Sequence, residues 1–438
     1  MKKILLIQPT PYNLNKELIK KKKLYFVGLA LPLLAALTPS NFEVEICYET
    51  IENVPFDTDA DLIGISSMGH AVMRTIDLAK EFKKRGKTVV LGGYMVSLMP
   101  DEAKKYCDSV VVGDAEDVWA DLLNDYINKK LKKIYRKELE KFDPPLPKYE
   151  LLLNKNIGDF LPVQAGRGCP NACSFCSIYC LYKGQYLKRP IENVLRDIRK
   201  VKSLGFNKFL LLDDNIFSDR DYSIKLCKEI RKLKMKWMTQ CSITIANDKE
   251  LLNIMSKSGC IALSFGLESI SKESLKSMDK AWANPKDYSK QIKVIKSFGI
   301  DVSTEMVVGA DGDTIESIKQ TADFVLKNKI TVPRFYILTP IPGTKFYEDM
   351  KNQDRIYNSD MYSYNSCEAV HIPKNMTPQE LTNAYWNLYR EVYKVKNILK
   401  RTIFTKKMLT NPMTSLFYLF INMYYRTQIR KGIVPNII

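Results

Sequence analysis

The chain has 438 residues, enough for two to three domains of ordinary size. With 45% hydrophobic and 26% charged residues, it is excluded from the disordered, collagen-like and small disulfide-stapled classes. Lys and Arg number 67 against 49 Asp and Glu, a net charge of +18, which fits nucleic acid, phospholipid headgroups or a phosphate-bearing cofactor as well as it fits a solvated lysine surface.

The opening Met-Lys-Lys-Ile-Leu-Leu-Ile-Gln-Pro lacks the longer apolar stretch and small-residue cleavage site of a signal peptide. A cytoplasmic location is expected, where clustered thiols more often bind metal than pair. No stretch reaches 18 uninterrupted apolar residues; the runs Leu24 to Leu37 and Met413 to Tyr425 are too short or too broken to span a bilayer.

Five short β-branched runs alternate with helical patterns over the first 130 residues: Lys3 to Gln8, Glu43 to Tyr48, Leu62 to Ser67, Thr88 to Gly93 and Ser109 to Gly113. This alternation predicts a doubly wound parallel α/β sheet, whose ligands sit beyond the carboxyl ends of the strands. Those ends read Pro9-Thr10-Pro11, Ser67-Met68-Gly69-His70, Gly92-Gly93-Tyr94 and Gly113-Asp114-Ala115-Glu116. Glycine and small polar residues there let backbone approach a bulky ligand, so Ser67, Gly92, Gly93 and Gly113 are candidate ligand contacts.

From Lys129 to Lys155 the chain turns Lys-rich and then Pro-rich without periodicity, the best domain boundary. A second array follows, with strands near Leu161 to Ala165, Lys208 to Leu212, Lys236 to Ser242, Ile261 to Leu267, Val302 to Val308 and Phe335 to Leu338. Amphipathic helices lie between, such as Ile191 to Ser203 with Val194, Ile198 and Val201 on one face. Six strand–helix units predict a partial (β/α)6 barrel with its site at the strand carboxyl ends. A helix is expected from Thr377 to about Leu399, then an aromatic-rich tail that from Lys400 onward carries seven Lys or Arg and no Asp or Glu. The expected domains are residues 1–135, a linker 136–160, a barrel 161–372 and a helical region 373–438.

Four of the ten cysteines fall within twelve residues. Directly after the first barrel strand comes Gly166-Arg167-Gly168-Cys169-Pro170-Asn171-Ala172-Cys173-Ser174-Phe175-Cys176, a Cys-x3-Cys-x2-Cys spacing. Three thiolates on one loop suit three irons of a [4Fe-4S] cluster and leave the fourth iron open. Structural zinc would ask for four ligands, usually in two Cys-x2-Cys pairs. Cys180 follows with no partner pair or His nearby and is not expected to ligate.

This loop resembles the signature of the radical S-adenosylmethionine (SAM) enzymes, and the whole chain resembles the class with an N-terminal, Rossmann-like cobalamin-binding domain. The resemblance rests further on Val89-Val90-Leu91-Gly92-Gly93, Pro100-Asp101-Glu102-Ala103, Val112-Gly113-Asp114-Ala115-Glu116, Asp213-Asp214-Asn215, Gly266-Leu267-Glu268-Ser269 and Thr339-Pro340-Ile341-Pro342-Gly343-Thr344, in order over residues 1 to about 390. It implies a cluster held by Cys169, Cys173 and Cys176, with SAM on the open iron and cobalamin in the N-terminal domain.

Carboxylates at strand ends suit the amino group and ribose of SAM, so Asp214, Glu268 and Ser269 are expected contacts. Asp213-Asp214-Asn215 departs from the Gly-Gly-Glu type of motif in related enzymes, and helix N-capping is the other role open to Asp214. Glu305 is the weaker carboxylate candidate, equally an inward residue paired to a lysine. The Asp-x-His-x-x-Gly motif of base-off cobalamin domains is missing, and only His70 and His371 are present. His70 sits near the expected corrin but reads as a hydrogen-bonded loop residue; His371 is assigned nothing.

Pairing a radical source with a methyl-carrying corrin implies a C-methyltransferase acting on an unactivated carbon through a 5'-deoxyadenosyl radical and methylcobalamin. The alternative keeps both cofactors for cyclisation or rearrangement without methyl transfer. A non-catalytic corrinoid or redox-sensing module is the reading from another class, against which the complete cluster loop argues. The implied partners are a small-molecule, lipid-like or peptide substrate and an external electron donor such as flavodoxin or ferredoxin. Nucleic acid is not expected, since no RNA-binding fold is recognisable. The tail, apolar from Met413 to Tyr425 and flanked by basic residues, is predicted to touch a lipid-like substrate or a membrane surface, at the inner face. The competing reading packs it on the barrel.

Overall fold

The strand sequence Ile4-Leu5-Leu6-Ile7 is apolar without alternation, as a strand covered on both faces must be, and all four residues are at most 1% exposed. In the computed structural model, which describes residues 1–435, this segment is the middle of β1 (Lys2–Gln8). The strands that follow are β2 (Leu24–Phe26), β3 (Phe42–Tyr48), β4 (Leu62–Ser66), β5 (Thr88–Gly92), β6 (Ser109–Val112), β7 (Ile134–Arg136) and β8 (Ile157–Gln164). After them come β9 (Gly166–Gly168), β10 (Tyr186–Lys188), β11 (Lys208–Leu212), β12 (Lys236–Gln240), β13 (Cys260–Glu268), β14 (Asp301–Val308) and β15 (Val332–Ile337). The described chain forms two compact units: Met1–Gly168 with Cys180–Leu212, and Cys169–Tyr179 with the stretch from Asp213 onward.

In the first unit six strands pair in the order β3-β1-β4-β5-β6-β7, every pair parallel. Ile7 stands beside Cys47 and Ile65, and Ser66 beside Gly92, which brings the carboxyl ends of β4 and β5 level. Leu5, Ile7, Ile63, Ile65, Val89, Leu91, Val110 and Val112 meet Leu78, Ala79 and Phe82 of the helix Val72–Lys84 in one core. The same unit holds β2, β8 and β11 as parallel neighbours, the antiparallel pair β9 and β10, and the helix Ile191–Ser203, which buries Val194, Leu195, Ile198 and Val201.

In the second unit β12, β13, β14 and β15 are parallel neighbours, each of the first three followed by a helix. Caps set several helix starts: Asp219, Asp248 and Ser271 accept from backbone N–H groups three residues on, and Thr314 and Thr377 form reciprocal capping boxes. The helix Pro378–Val392 covers β15. Tyr385 and Tyr389 donate to the carbonyl of Phe335, Tyr389 also accepts from its N–H, and the following Tyr393 donates to Pro333. Tyrosine hydroxyls thus satisfy backbone groups of a terminal strand whose edge would otherwise stay open.

The α/β class, the parallel sheets and the helical C-terminal region are as the sequence predicts, and the six strand–helix repeats are those of a partial barrel. Two expectations need correction. The stretch after Lys129 is not free of strands, because β7 extends the first sheet through Val110 to Val112; three residues are too few to show a period. The helix expected from Thr377 to Leu399 is two, Pro378–Val392 and Val395–Thr402.

Candidate functional site

The first unit opens a cleft at the carboxyl ends of β4, β5 and β6. It encloses about 710 Å³ of empty space including solvent, and its lining includes Leu33, Leu34 and Leu37 of the helix Ala30–Leu37, Trp119, Ser66, Gly92, Gly93 and Gly113 to Glu116. Gly93 is required here on two counts: its φ is +96°, and a Cβ would stand 2.3 Å from the Ser67 carbonyl oxygen. Gly113, also left-handed at +81°, has open space where a Cβ would be. Ser66 lines the cleft and Ser67 is not among its lining residues; Ser67 is buried, with its N–H on the Gly92 carbonyl and its Oγ without a hydrogen-bond partner among the described residues.

One wall of the cleft is charged. Arg167 donates from Nη1 to Asp114 Oδ1 at 2.6 Å and pairs through Nη2 with Glu116 Oε1 at 2.8 Å. Its guanidinium lies 4.3 Å from the centre of the Phe142 ring, and Tyr182 donates to the same Asp114 oxygen. Those two carboxylates hold Arg167 firmly charged despite its burial.

The second unit carries the thiols. Cys173 is buried and Cys169 and Cys176 are partly so. The loop is fixed on both sides of Ser174, whose N–H donates to Met278 and whose carbonyl accepts from Phe346. Burial pushes the Cys173 thiol up to about 12 against the pull of the Lys280 ammonium; Cys169 and Cys176 are raised by burial as well. Asn215 aims Nδ2 at Cys169 Sγ, 3.8 Å away, while its Oδ1 accepts from Ser242 N–H.

The structure brings Asp214 and Glu268 to these thiols. The Asp214 carboxylate acts on Cys169 and Cys176, and the cap of the next long helix is Asp219 instead. Glu268 ends β13 with a left-handed backbone, φ 59°, at an irregularity in the pairing with β14. Its Oε1 meets Lys280 Nζ at 2.7 Å, and Lys280 also donates to the Gly266 carbonyl. Burial opposes charge on Lys280, yet Glu268 and the neighbouring thiols raise its pKa.

Ser269 turns elsewhere: it hydrogen-bonds Asp313, which also accepts from Ser274 and from the N–H groups of Gly309 and Ala310. Glu305 pairs with Arg334, not with a lysine, because the parallel register sets β14 Glu305 beside β15 Arg334. Cys180 belongs to the first unit. His70 is not among the residues lining the cleft; burial and Lys21 hold its pKa down. His371 is fully buried, and its Nε2–H donates to Gly309 O at 2.9 Å. Sequence reasoning missed Asn215 as a sulfur neighbour, Lys280 and Arg167; the first and last were already inside quoted motifs.

Both donor sets fit the groups the motifs imply. Among the described residues no three His, Cys, Asp or Glu side chains converge on a single ion, whereas a [4Fe-4S] cluster takes its thiolates on separate irons of a cube. An amide N–H on sulfur and a nearby ammonium favour the thiolate form that ligation requires. In the first unit, a cleft walled by Gly92, Gly93 and Gly113, where Gly93 has no room for a Cβ, and faced by Leu33, Leu34, Leu37 and Trp119 with Asp114, Glu116 and Arg167 on another side, suits a large amphipathic ligand.

Comparison with known proteins agrees. Residues 163–325 match the Radical SAM superfamily model and residues 33–123 the B12 binding domain model. The chain is 30% identical over 413 residues to bacteriochlorophyllide d C-12(1)-methyltransferase of Chlorobaculum tepidum, covering 91% of this chain and 89% of that one. It is also 30% identical to the C-8(2)-methyltransferase of the same organism, over 89% and 90% of the two chains. The solved structure of the cobalamin-dependent SAM radical enzyme OxsB, with aqua-cobalamin and SAM bound, has the same fold at a TM-score of 0.70 and 13% identity, over 98% of this chain and 73% of that chain. Alike over nearly its whole length, the chain belongs to the cobalamin-dependent radical SAM methyltransferase family.

Proposed function

We propose that this protein replaces a hydrogen on an unactivated carbon of a small-molecule substrate with a methyl group. The observation that carries the reading is the presence, in one chain, of the Cys169, Cys173 and Cys176 loop with Asn215 and Lys280 around it and of the glycine-walled cleft at β4 to β6. The family works with a [4Fe-4S] cluster, SAM and cobalamin and with small-molecule substrates and external electron donors. When bound, the cluster with SAM supplies a carbon-centred radical and the corrin supplies the methyl group.

The chain's own residues then have these roles. Cys169, Cys173 and Cys176 hold the cluster, with Asn215 donating to the first sulfur. Asp214 faces the amino group or ribose of SAM. Glu268 and Lys280 present a paired carboxylate and ammonium, suited to the two charged ends of an amino acid; Ser269, hydrogen-bonded to Asp313, is a further contact through the backbone next to Glu268. Gly92, Gly93, Gly113 and Ser67 shape the corrin site, residues 1–135 forming its domain and residues 161–372 the barrel. The electron donor is a flavodoxin or ferredoxin, and the substrate is tetrapyrrole-like or lipid-like. The protein works at the inner face of the membrane, touching it through the basic tail.

The overall balance gives the test. Two SAM and two electrons enter per methylation; one S-adenosylhomocysteine, one 5'-deoxyadenosine and one methionine leave, the methyl replacing the hydrogen that 5'-deoxyadenosine carries away. Anaerobic turnover of the reconstituted protein with a bacteriochlorophyllide probe should release the two nucleosides in equal amounts. Turnover yielding 5'-deoxyadenosine and an altered probe without S-adenosylhomocysteine would sink methyl transfer and leave cyclisation or rearrangement.

A further inference from the structure

The last described helix, Pro412–Arg430, is amphipathic in the reverse of the usual sense. A helix on a soluble protein turns its apolar stripe inward. Here Ser415, Asn422, Tyr425 and Ile429 are the buried residues, and three of those four are polar or carry a hydroxyl. On the opposite face Met413, Leu416, Phe417 and Phe420, spaced i, i+3, i+4 and i+7, are 74%, 44%, 51% and 66% exposed. Phe404 and Leu409, in the segment leading in, are exposed too.

Polar bonds, not packing of that stripe, hold the helix in place. Asn422 donates to the Thr331 carbonyl and accepts from Arg401, whose other donors take the carbonyls of Ile330, Thr331 and Val392. Tyr418 donates to Asp301 at 2.7 Å, and Lys407 pairs with the same carboxylate. Asp301 is the first residue of β14 and Thr331 immediately precedes β15, so the helix lies across the amino ends of these strands. Glu268 and the thiols are at the carboxyl ends. The outward stripe is therefore at the far end of the unit from the chemistry and cannot be a lid over it.

The chain segment that carries the stripe bears charge of one sign, and the carboxylate it meets, Asp301, is buried against Lys407 and Tyr418. From Lys394 to Lys431 there are nine Lys or Arg and no Asp or Glu, and Lys406, Arg430 and Lys431 are exposed. Among the described residues no helix is long and apolar enough to cross a membrane. An exposed aromatic stripe of two helical turns with an all-basic border matches a surface that is apolar just beneath an anionic skin, while a second copy of this equally basic segment would meet it with like charge.

We infer that the outer face of Pro412–Arg430, built on Met413, Leu416, Phe417 and Phe420, lies in the headgroup region of an anionic phospholipid bilayer. This rests on the tail contact proposed above and assigns it to one face. The test is sedimentation of the full-length reconstituted protein with phosphatidylglycerol-rich vesicles, with pure phosphatidylcholine vesicles, and with the former in high salt. Binding is expected to the first only. The double variant Phe417→Ser, Phe420→Ser, with unchanged iron and corrin content, should partition about tenfold more weakly, and Lys406→Glu with Lys431→Glu should show a shallower salt dependence. Wild type left in the supernatant overturns both the tail contact and this face. Wild type that binds while the double serine variant binds equally well overturns the face alone. Light scattering that finds a dimer which the serine variant dissolves assigns the stripe to a second copy and overturns the bilayer.

Discussion

Lys280 Nζ and Glu268 Oε1 stand 2.7 Å apart with both side chains at most 10% exposed, beside the Cys173 thiol. Breaking a buried pair costs more than the pair contributes, because the remaining charge keeps its desolvation penalty. Lys280→Met should destabilise the protein by about 3–5 kcal/mol, and adding Glu268→Gln should restore most of that. Thermal melting of the single and double variants checks the coupling. Where Lys280→Met retains iron, the cluster should be harder to reduce, since an ammonium near its sulfurs is gone; a redox titration measures it.

The thiol loop makes a plain prediction. Anaerobic reconstitution should give about four irons and a broad absorption at roughly 400 nm. Cys169→Ala, Cys173→Ala or Cys176→Ala should lose iron and SAM cleavage together, while Cys180→Ala keeps both. A Cys176→Ala variant that still cleaves SAM would refute the ligand assignment.

The two left-handed glycines of the cleft should behave differently. Gly93→Ala drives a methyl to 2.3 Å from the Ser67 carbonyl, so β4 and β5 must part and hydroxocobalamin binding should vanish with a clear loss of stability. Gly113→Ala meets nothing within 4 Å and should cost only the left-handed backbone term, about 1 kcal/mol. Spectrophotometric titration with hydroxocobalamin, alongside melting curves, separates the two.

Cobalt should have no histidine beneath it. Electron paramagnetic resonance of the cob(II)alamin form should lack a nitrogen triplet, and His70→Ala should leave the spectrum unchanged. A triplet that disappears in His70→Ala would reverse this assignment.

His371 should set part of the acid sensitivity. Burial lowers its pKa from 6.5 to about 4, so between those values the unfolded chain binds a proton that the folded one refuses. Stability therefore rises with pH through that window and is lost as pH falls from 6.5 towards 4, by about 3 kcal/mol in total. The gap in melting temperature between wild type and His371→Gln should shift against wild type across this range; a gap independent of pH would rule the histidine out.

What could be read without the structure was local. Cys169, Cys173 and Cys176 lie on one loop, so their spacing alone carries the chemistry, and strands declare themselves by short apolar runs such as Val110 to Val112 in β6 and Phe209 to Leu212 in β11. Asn215, Lys280 and Arg167 meet partners distant in sequence; Asn215 and Arg167 lie inside recognisable motifs, but the motif does not say which atom each faces, and nothing beside Lys280 marks it. The Glu305 and Arg334 pair needs the β14 and β15 register, which no periodicity supplies. The aromatic tail was visible as apolar, but only packing separates Tyr385, Tyr389 and Tyr393, whose hydroxyls serve the backbone around β15, from Phe417 and Phe420, which face out.

The cleft's charged wall has a consequence for how the protein matures. Arg167 and Cys169 are separated only by Gly168, so the residue gripped by Asp114 and Glu116 is two peptide bonds from the first sulfur of the loop. With Arg167 already held by Asp114 and Glu116, the chain that leads into the thiol loop is anchored before iron arrives, which shortens the stretch left to be ordered. Assembly of the cluster then depends on a residue that touches no iron: Asp114→Asn should lower the yield of intact cluster on reconstitution while leaving all three cysteines in place.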